Sequence, residues 1–288
     1  MTNSNNPFVS VIIATYNRAD LLREAVVSVL EQTYTNFELI ISDDGSTDNT
    51  KEVVSGFQDS RIVFLGLNHS GIPAVTRNRG IDASKGEYIA LLDSDDLWLP
   101  YKLERCLYHF NMNPSLGLFC SNEYLLNSEA PPSDQKGLLQ KRAEDQYVTF
   151  ENLFEGNPIS TSTVVMRKAC FLQVGKFSES FDFYAVEDWH LWARIASTFR
   201  IFFSNEPLGY YRIHGKNICL DTGRSLANKY NAVIDVAGKF PDLVREFDGV
   251  AKGCFRNITF VLAKYWLKKF KIGKSFKWFS RSLYIKLD

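Results

Sequence analysis

Strand-like and helix-like segments alternate through the first hundred residues, and this alternation constrains the fold more than any other feature. Leu22, Val26 and Val29 fall on one helical face between the first two strand-like segments. The strand-like segments are β-branched-rich and almost continuously apolar, as strands covered on both faces are: "FVSVIIAT" (8–15), "FELIISD" (37–43), "RIVFLGL" (61–67) and "EYIALLD" (87–93). Strands alternating with helices form parallel βαβ units. We therefore predict an α/β fold with a mostly parallel, Rossmann-like sheet flanked by helices.

Acidic residues stand where two of these strands end, which is where ligands bind in an open α/β sheet. Within "ALLDSDDLWLP" (90–100), Asp93 and Asp95 would project to the same side if the extended backbone continues that far. Two such charges need a cation or a proton, and Mg²⁺ or Mn²⁺ carried by a phosphorylated substrate would meet that need. Helix capping is the alternative, because the residues that follow, "DLWLPYKLERCLYHF", look helical.

The second half of the chain has a less regular pattern. A polar, Pro-containing stretch, "NSEAPPSDQKG" (127–137), predicts an exposed insertion. The pattern then resumes with a predicted strand at 162–167, a helix at 186–197 and extended structure at 200–215. After Asp221 the sequence predicts mainly helix, so we expect a helical appendage at the carboxyl end.

Composition excludes several classes of protein. The 288 residues suffice for one large domain, or one domain with an appendage, and 33 basic against 33 acidic side chains indicate no polyanionic partner. The start has no basic and apolar signal pattern, and no apolar run reaches ~18 residues, so we expect a cytoplasmic protein. Five scattered cysteines without a C-x-x-C pair indicate reduced, mostly buried thiols.

Two common nucleotide-binding signatures are absent. The "GKS" at 273–275 lacks the first glycine of a P-loop, since Lys268 stands at that place. The fingerprint G-x-G-x-x-G occurs nowhere, which argues against a nicotinamide or flavin enzyme. A nucleotide would have to bind through another motif.

Motifs in four stretches of the chain, taken in order, resemble those of one known family. "VSVIIATYNRADLLREAVVSVLEQTYTNFELIISDDGSTDNT" (9–50) and "GIPAVTRNRGIDASKGEYIALLDSDDLWLP" (71–100) are similar to the amino-terminal half of family 2 glycosyltransferases of the GT-A fold. "AVEDWHLWARIA" (185–196) and "YYRIHGKN" (210–217) match that family's later motifs. Their shared order and spacing make the resemblance specific.

The resemblance also implies a domain organisation. It predicts one GT-A domain over residues 1–217, with a half that binds the nucleotide-sugar at 8–113 and an acceptor and catalytic half at 114–217. Residues 218–288 then form a separate helical region rich in basic and aromatic side chains.

The resemblance assigns nucleotide-sugar binding to Ala14, Tyr16, Asp44 and Arg77. Tyr16 could stack on a base, and Asp44 could accept the imide N–H that uracil presents, so we expect UDP. The alternatives are a turn role for Asp44 in "DDGS" and a local salt bridge for Arg77. Little depends on the side chain at Ala14, because many relatives have Pro or Thr there.

The same resemblance assigns the cation. Asp95 is the expected direct ligand of a Mg²⁺ or Mn²⁺ ion that bridges the diphosphate, with Asp93 beside it toward ribose or metal, and Asp96 is a weaker third candidate. In "YRIH", Arg212 and His214 alternate onto one face, which would let His214 complete the metal shell and Arg212 reach phosphate. The alternative for His214 is a structural role, the commoner one for a lone histidine.

"EDWH" supplies the expected base. By resemblance, Asp188 takes the proton from the acceptor hydroxyl and Glu187 supports its position. Both begin a predicted helix, where the helix dipole favours carboxylates, so capping is the alternative.

Together these assignments predict a metal-dependent, inverting glycosyltransferase of the hexosyltransferase type. It would move a sugar from a nucleoside diphosphate sugar to a hydroxyl of a glycan or a lipid-linked acceptor in bacterial surface-polysaccharide or glycolipid synthesis. A sugar-nucleotide pyrophosphorylase is one alternative, but it should carry a Gly-rich basic loop where this chain has "TYNRAD" (15–20). A non-catalytic glycan-binding subunit is the other, and it has no need of Asp93, Asp95, Asp188 and His214 together.

Positive charge is concentrated at the end of the chain. Residues 252–288 contain ten Lys or Arg and one acid, interleaved with aromatic residues. This composition suits the headgroup layer of an anionic membrane, and we predict peripheral binding at the cytoplasmic face of a bacterial-type inner membrane. A helix that packs its aromatic residues on the protein is the alternative. Nucleic acid is not expected, because no recognised binding motif accompanies the basic stretch.

Overall fold

A computed structural model describes residues 6–127, 137–140, 144–214 and 222–268, together with residues 274, 275, 277, 278 and 281. Most of the predicted insertion at 127–137 lies outside the described residues, as do Cys219 and most of the chain after Lys268. Cys106, Cys120, Cys170 and Cys254 are buried and free, as predicted for reduced thiols.

Nine strands and ten α-helices are formed by the described residues. The strands are β1 (Val9–Thr15), β2 (Phe37–Asp43), β3 (Ile62–Gly66), β4 (Tyr88–Asp93), β5 (Leu97–Trp98), β6 (Leu116–Asn127), β7 (Gln146–Val148), β8 (Val165–Arg167) and β9 (Arg200–Ile213). The helices are α1 (Ala19–Leu30), α2 (Thr50–Ser55), α3 (Pro73–Ala83), α4 (Lys102–Met112), α5 (Phe150–Glu155), α6 (Ala169–Val174), α7 (Glu187–Ala196), α8 (Thr222–Lys239), α9 (Pro241–Glu246) and α10 (Asp248–Lys268).

All nine strands belong to one sheet, which confirms the predicted α/β class. Its order is β3-β2-β1-β4-β8-β6-β9-β5, and β7 pairs with β9 off this path. The first four strands are parallel, and β6 is parallel to β9. Strand β8 runs antiparallel to both β4 and β6, and β5 and β7 run antiparallel to β9. The chain order therefore reverses beside β1, which creates a topological switch point between β1 and β4.

Two local expectations were wrong. Strand β3 lies at the edge of the sheet, so most of its residues are half-buried and the strand is not covered on both faces. The predicted helix around residues 96–110 begins only at Lys102, because Leu97 and Trp98 pair with β9. Residues 97 and 98 form a strand because they pair with β9, which is distant in the sequence. Local sequence patterns do not reveal such a pairing.

Hydrophobic burial explains why the first strands and α1 form. Val11, Ile13, Leu39 and Ile41 are fully buried on the sheet, and they share a core with the predicted apolar face of α1. Burying an aliphatic side chain of this size contributes about 1.5–3 kcal/mol. This core holds the ends of β1, β2 and β4 side by side.

Chain contacts divide the protein into two compact units. The first takes in the described residues of 1–148, 158–177 and 199–215, including the whole sheet. The second takes in 149–157, 178–198 and the described residues after 216, including α5 and α7–α10. In the second unit the Trp189 indole donates to the carbonyl of Leu153 at 2.7 Å and packs edge-on against Phe154. The helical carboxyl-terminal region is confirmed, and none of its described helices, nor any other described helix, is long and apolar enough to cross a membrane.

Candidate active site

The predicted nucleotide residues lie at the carboxyl edge of the parallel strands. Ala14 pairs in register with Ser42 of β2 on one side and with Asp93 of β4 on the other. Just beyond β1, the Asn17 amide oxygen accepts the backbone N–H of Thr47 at 2.7 Å. The loop after β1 and the loop after β2 are therefore joined at the switch point.

The Asp44 carboxylate is buried and organises a third loop. Its Oδ1 accepts the backbone N–H of Ser70 at 2.9 Å and the Ser70 hydroxyl at 2.8 Å, and its Oδ2 accepts the N–H of Gly71 at 2.9 Å. Gly45 turns the chain with φ of 77°, and a Cβ there would meet the backbone nitrogen of His69 at 2.9 Å. Asp44 thus holds residues 69–71 against the end of β2, a role that the turn interpretation did not include. Its predicted contact with a base stays a prediction.

Tyr16 forms an aromatic pair that the sequence did not indicate. Its ring stacks on the His69 imidazole with centroids 4.2 Å apart and an interplanar angle of 20°. The Nδ1 atom of His69 lies 2.9 Å from Asp44 Oδ2 and 2.9 Å from the Asp44 carbonyl oxygen. Three residues from three different loops therefore make one aromatic and polar cluster.

Arg77 and Asp93 form an ion pair at the end of β4. The Arg77 guanidinium donates to Asp93 Oδ1 at 2.8 Å and lies over the Phe177 ring, 5.6 Å from its centroid. The predicted local salt bridge is present, and it ties two predicted nucleotide residues together. The side chain of Asp93 is one-third exposed, so it remains open to a ligand.

Asp95 receives two donors on one oxygen. Its Oδ2 accepts the Arg18 guanidinium at 2.5 Å and lies 2.8 Å from Nε2 of His214. The structure thus brings the predicted metal ligands Asp95 and His214 together, although 119 residues separate them in the chain. Arg18 was missed by the sequence reasoning, since its place in "TYNRAD" gives no sign that it reaches the next acidic loop.

Asp96 differs from Asp93 and Asp95 because both of its carboxylate oxygens accept hydrogen bonds from neutral groups of the protein. Oδ1 accepts the backbone N–H of Arg212 at 2.8 Å, and Oδ2 accepts the Ser162 hydroxyl at 2.5 Å. Burial raises the pKa of Asp96 well above its usual range, with the charge of Glu123 raising it further. These contacts indicate a structural connection between β9 and the 3₁₀ turn at Thr161–Thr163.

The Arg212 guanidinium is directed toward protein acceptors. Its Nε donates to the Asp95 carbonyl oxygen at 2.8 Å, and one terminal nitrogen donates to Glu24 at 2.6 Å. Arg212 thereby fixes the backbone of the acidic loop. Its predicted contact with phosphate stays a prediction.

A buried carboxylate that no motif indicated lies beside this loop. Glu123 of β6 is fully buried, and burial raises its pKa to about 7. Hydrogen bonding by the Ser160 side chain lowers the pKa of Glu123, and the buried ammonium of Lys102 lowers it further. Burial lowers the pKa of that lysine in turn. The charge on Asp93 acts in the opposite direction and raises the pKa of Glu123 further.

The side chains around Asp95 fit a cation that is shared with a substrate. Among the described residues, no three His, Cys, Asp or Glu side chains are arranged to hold a metal ion by themselves. Asp95 Oδ2 and His214 Nε2 lie 2.8 Å apart, so both could ligate one cation once their mutual hydrogen bond and the Arg18 contact are released. The Asp93 carboxylate is close by in sequence. Mg²⁺ and Mn²⁺ commonly take only one or two protein ligands when phosphate supplies the others.

The predicted base lies in the second unit, at the start of α7. Asp188 Oδ1 accepts the backbone N–H of Trp189 at 2.6 Å, and Oδ2 accepts the side-chain amide of Asn157 at 3.3 Å. Asp188 is half-buried, whereas Glu187 is buried. The residue two before Glu187, Ala185, has φ of 65°, so the backbone enters the helix through a conformation that alanine rarely adopts. Strain of this kind is typical of functional sites.

One histidine near Asp188 is held neutral. His190 stacks on Phe183, and its Nε2 lies 2.7 Å from Asp235. Burial lowers the pKa of His190 to about 4. His190 is buried and paired with Asp235, whereas Asp188 is half-buried at the start of the helix, so Asp188 is the more accessible of the two side chains.

In an open α/β sheet, ligands bind at the switch point, where this chain places aromatic, acidic and basic side chains. The model of the family described as "Glycosyl transferase family 2" matches residues 10–156, and the chain belongs to this family. Family 2 enzymes transfer sugars with inversion, which confirms the predicted reaction class and decides against the pyrophosphorylase.

Curated relatives extend the match beyond the family model. The chain is 30% identical over 260 residues to an Escherichia coli protein, the UDP-Glc:alpha-D-GlcNAc-diphosphoundecaprenol beta-1,3-glucosyltransferase WfaP, covering 86% of this chain and 96% of that one. It is 33% identical over 187 residues to WfgD of the same species, which has the same described activity, covering 65% and 69%.

Solved structures show the same fold. S. aureus TarS 1-349 in complex with UDP-GlcNAc has a TM-score of 0.66 at 16% identity, covering 93% of this chain and 89% of that one. The mannosyltransferase PcManGT from Pyrobaculum calidifontis, in complex with GDP-Man and Mn²⁺, has a TM-score of 0.65 at 15% identity, covering 98% and 88%. The predicted GT-A fold is confirmed.

Proposed function

We propose that this protein transfers a hexose from a UDP-sugar to a hydroxyl of a saccharide linked through diphosphate to a membrane lipid. One observation carries the proposal: the 30% identity to WfaP extends over 86% of this chain and 96% of that enzyme. WfaP and WfgD both use UDP-Glc and an acceptor carried on diphosphoundecaprenol.

The first unit would bind the donor. In this proposal Tyr16 and Asp44 receive the uracil, Ala14 lies beneath the nucleoside, and Asp93 receives ribose. Arg77 donates to Asp93 and Arg212 donates to the Asp95 carbonyl oxygen, so both guanidinium groups lie beside the acidic loop and suit the diphosphate. The ion pair of Arg77 with Asp93 already fixes both side chains in the free protein.

Asp93, Asp95 and His214 would hold Mg²⁺ or Mn²⁺ with the diphosphate. When bound, such an ion stabilises the negative charge that develops on the leaving diphosphate. Arg18 contributes positive charge at the same Asp95 oxygen in the free protein. This ion pair links the loop after β1 to the acidic loop.

Asp188 would act as the general base. The acceptor oxygen attacks the anomeric carbon of the donor sugar, its proton passes to Asp188, and the bond from that carbon to the phosphate oxygen breaks to release UDP. A single displacement from the opposite face inverts the anomeric carbon. The helix start at Glu187 and the amide of Asn157 orient the Asp188 carboxylate for this proton transfer.

A transfer assay tests this function. Purified protein is incubated with radiolabelled UDP-Glc, UDP-Gal, UDP-GlcNAc or GDP-Man and a synthetic GlcNAc-diphospholipid. We expect label in the lipid fraction with at least one UDP-sugar and none with GDP-Man. Protection of the protein by UDP against thermal unfolding provides a readout that does not depend on the acceptor. Absence of both transfer and protection, in folded protein, would reject the proposal and favour the non-catalytic subunit.

A lipid-linked acceptor would favour peripheral attachment at the cytoplasmic face of the inner membrane. The exposed face of α10 supports this: Phe260, Val261 and Leu267 are 45%, 43% and 58% exposed. Lys264 and Lys268 share that face, and the Lys264 ammonium lies 4.3 Å from the centroid of the Phe260 ring. Apolar side chains beside lysines on one helical face suit an anionic lipid surface.

Charge reversal on α10 tests the attachment. We expect the double substitution Lys264→Glu and Lys268→Glu to weaken binding to phosphatidylglycerol-containing vesicles roughly 30-fold or more, because each lost basic residue contributes about 1 kcal/mol and the new carboxylates are repelled by the anionic lipid. Co-sedimentation at low and high salt measures it. The matched control, Lys51→Glu with Arg245→Glu, makes the same charge change at exposed positions elsewhere. Equal loss in both double variants would show that net charge, and not this face, controls binding.

A further inference from the structure

The His69 imidazole occupies one face of Tyr16 in this structure. The two rings are stacked with centroids 4.2 Å apart, which leaves no room for a third ring between them. The Nδ1 atom faces the carboxylate and the carbonyl oxygen of Asp44, both at 2.9 Å. Since both partners of Nδ1 are acceptors, Nδ1 carries a hydrogen and donates to Asp44.

These are the two contacts that the proposed function assigns to uracil. A pyrimidine would place its π-face on Tyr16 and its imide N–H on the Asp44 carboxylate. The imidazole presents the same combination, a flat ring with an N–H at its edge. We propose that His69 fills the pyrimidine subsite in the free protein, and that the donor must displace it. This inference rests on the proposed UDP-sugar function.

The imidazole can leave without the loop unfolding. The side chain of His69 is 48% exposed, so water already surrounds about half of it. The loop itself is held separately, because Ser70 and Gly71 donate three hydrogen bonds to the Asp44 carboxylate. Rotation of one side chain therefore opens the face of Tyr16, while the loop and its Asp44 contacts stay in place.

Because His69 competes with the pyrimidine for this subsite, it lowers the apparent affinity of the protein for the donor. A ligand that binds only the open form has an apparent dissociation constant increased by the inverse of the open fraction. Aromatic pairs contribute modestly beyond the area they bury. Removing the imidazole is therefore expected to tighten UDP binding by about two- to tenfold.

Calorimetric titration of the full chain with UDP, at fixed excess MgCl₂, tests this. We expect His69→Ala to bind UDP about two- to tenfold more tightly than the parent. His69→Phe keeps a ring but lacks the N–H, so it should lie between the two. Inorganic diphosphate, which has no base, should bind the parent and His69→Ala equally. In a Tyr16→Ala background, His69→Ala should increase UDP affinity by a smaller factor, because the ring face for which His69 and uracil compete is absent.

The outcomes separate this inference from the function on which it rests. Parent protein that binds UDP, with His69→Ala equal to it or weaker, overturns the inference alone and indicates a histidine that contacts the bound base or only supports the loop. A gain of equal size for UDP and inorganic diphosphate also overturns it. Failure of the folded parent to bind UDP defeats the proposed function and this inference together.

Discussion

Replacing Asp188 by Asn is expected to lower the rate of sugar transfer by a factor of about 10²–10⁴, with little change in UDP affinity. An amide cannot take the proton from the acceptor hydroxyl, so the attacking oxygen loses its base. The substitution keeps size and shape, and one amide oxygen can still accept the backbone N–H of Trp189. UDP affinity should be retained because the proposed donor residues belong to the first compact unit.

Steady-state transfer kinetics and UDP calorimetry measure the two effects separately. Asp235→Asn is the matched control, since Asp235 is an acidic residue of the same unit that bonds His190 and Lys239. Thermal unfolding checks that both variants are folded. Transfer by Asp188→Asn at the parent rate would remove Asp188 from the mechanism, and a similar loss in Asp235→Asn would point to damaged structure.

Asp95→Ala is expected to abolish transfer, and excess EDTA should do the same to the parent. The substitution removes a proposed metal ligand together with the acceptor that Arg18 and His214 share. Without the Asp95 carboxylate, neither the metal ion nor Arg18 would be held where negative charge develops on the leaving diphosphate. Asp59→Ala, which alters a carboxylate paired with Arg61 on the first unit, is the matched control and should keep full activity.

Calorimetric titration with Mn²⁺ in the presence of UDP gives a second readout that needs no acceptor. The parent should show metal-dependent UDP binding, Asp95→Ala should lose it, and Asp59→Ala should retain it. Restoration of the EDTA-treated parent by added Mn²⁺ checks that chelation did no other damage. Full transfer in excess EDTA, with chelation verified, would remove the metal from the proposal.

Local sequence patterns were sufficient for the fold class and for placing acidic residues at the strand ends. The strands of the first half have apolar runs of the right length, and α1 has a clear helical face, so these elements follow from burial alone. Because parallel strands end at one edge, Asp44 and Asp93 had to lie there, and Ala14 is indeed in register with Asp93. The motif at 187–190 begins a helix as expected.

Tertiary structure decided which side chains meet at that edge. His69 reaches Tyr16, Arg18 reaches Asp95, and these pairs are 53 and 77 positions apart in the chain. Such contacts depend on loop conformation, which a few hydrogen bonds determine and which leaves no periodic pattern.

The sequence alone therefore determined an α/β chain with acidic strand ends, and the structure decided which groups each acidic residue contacts. In "DSDD" (93–96), Asp93 pairs with Arg77, Asp95 with Arg18 and His214, and Asp96 with backbone and hydroxyl donors. These residues are chemically almost identical in the sequence. The three carboxylates differ in how deeply they are buried and in which donors other parts of the chain bring to them. These surroundings determine the free energy of each charged group.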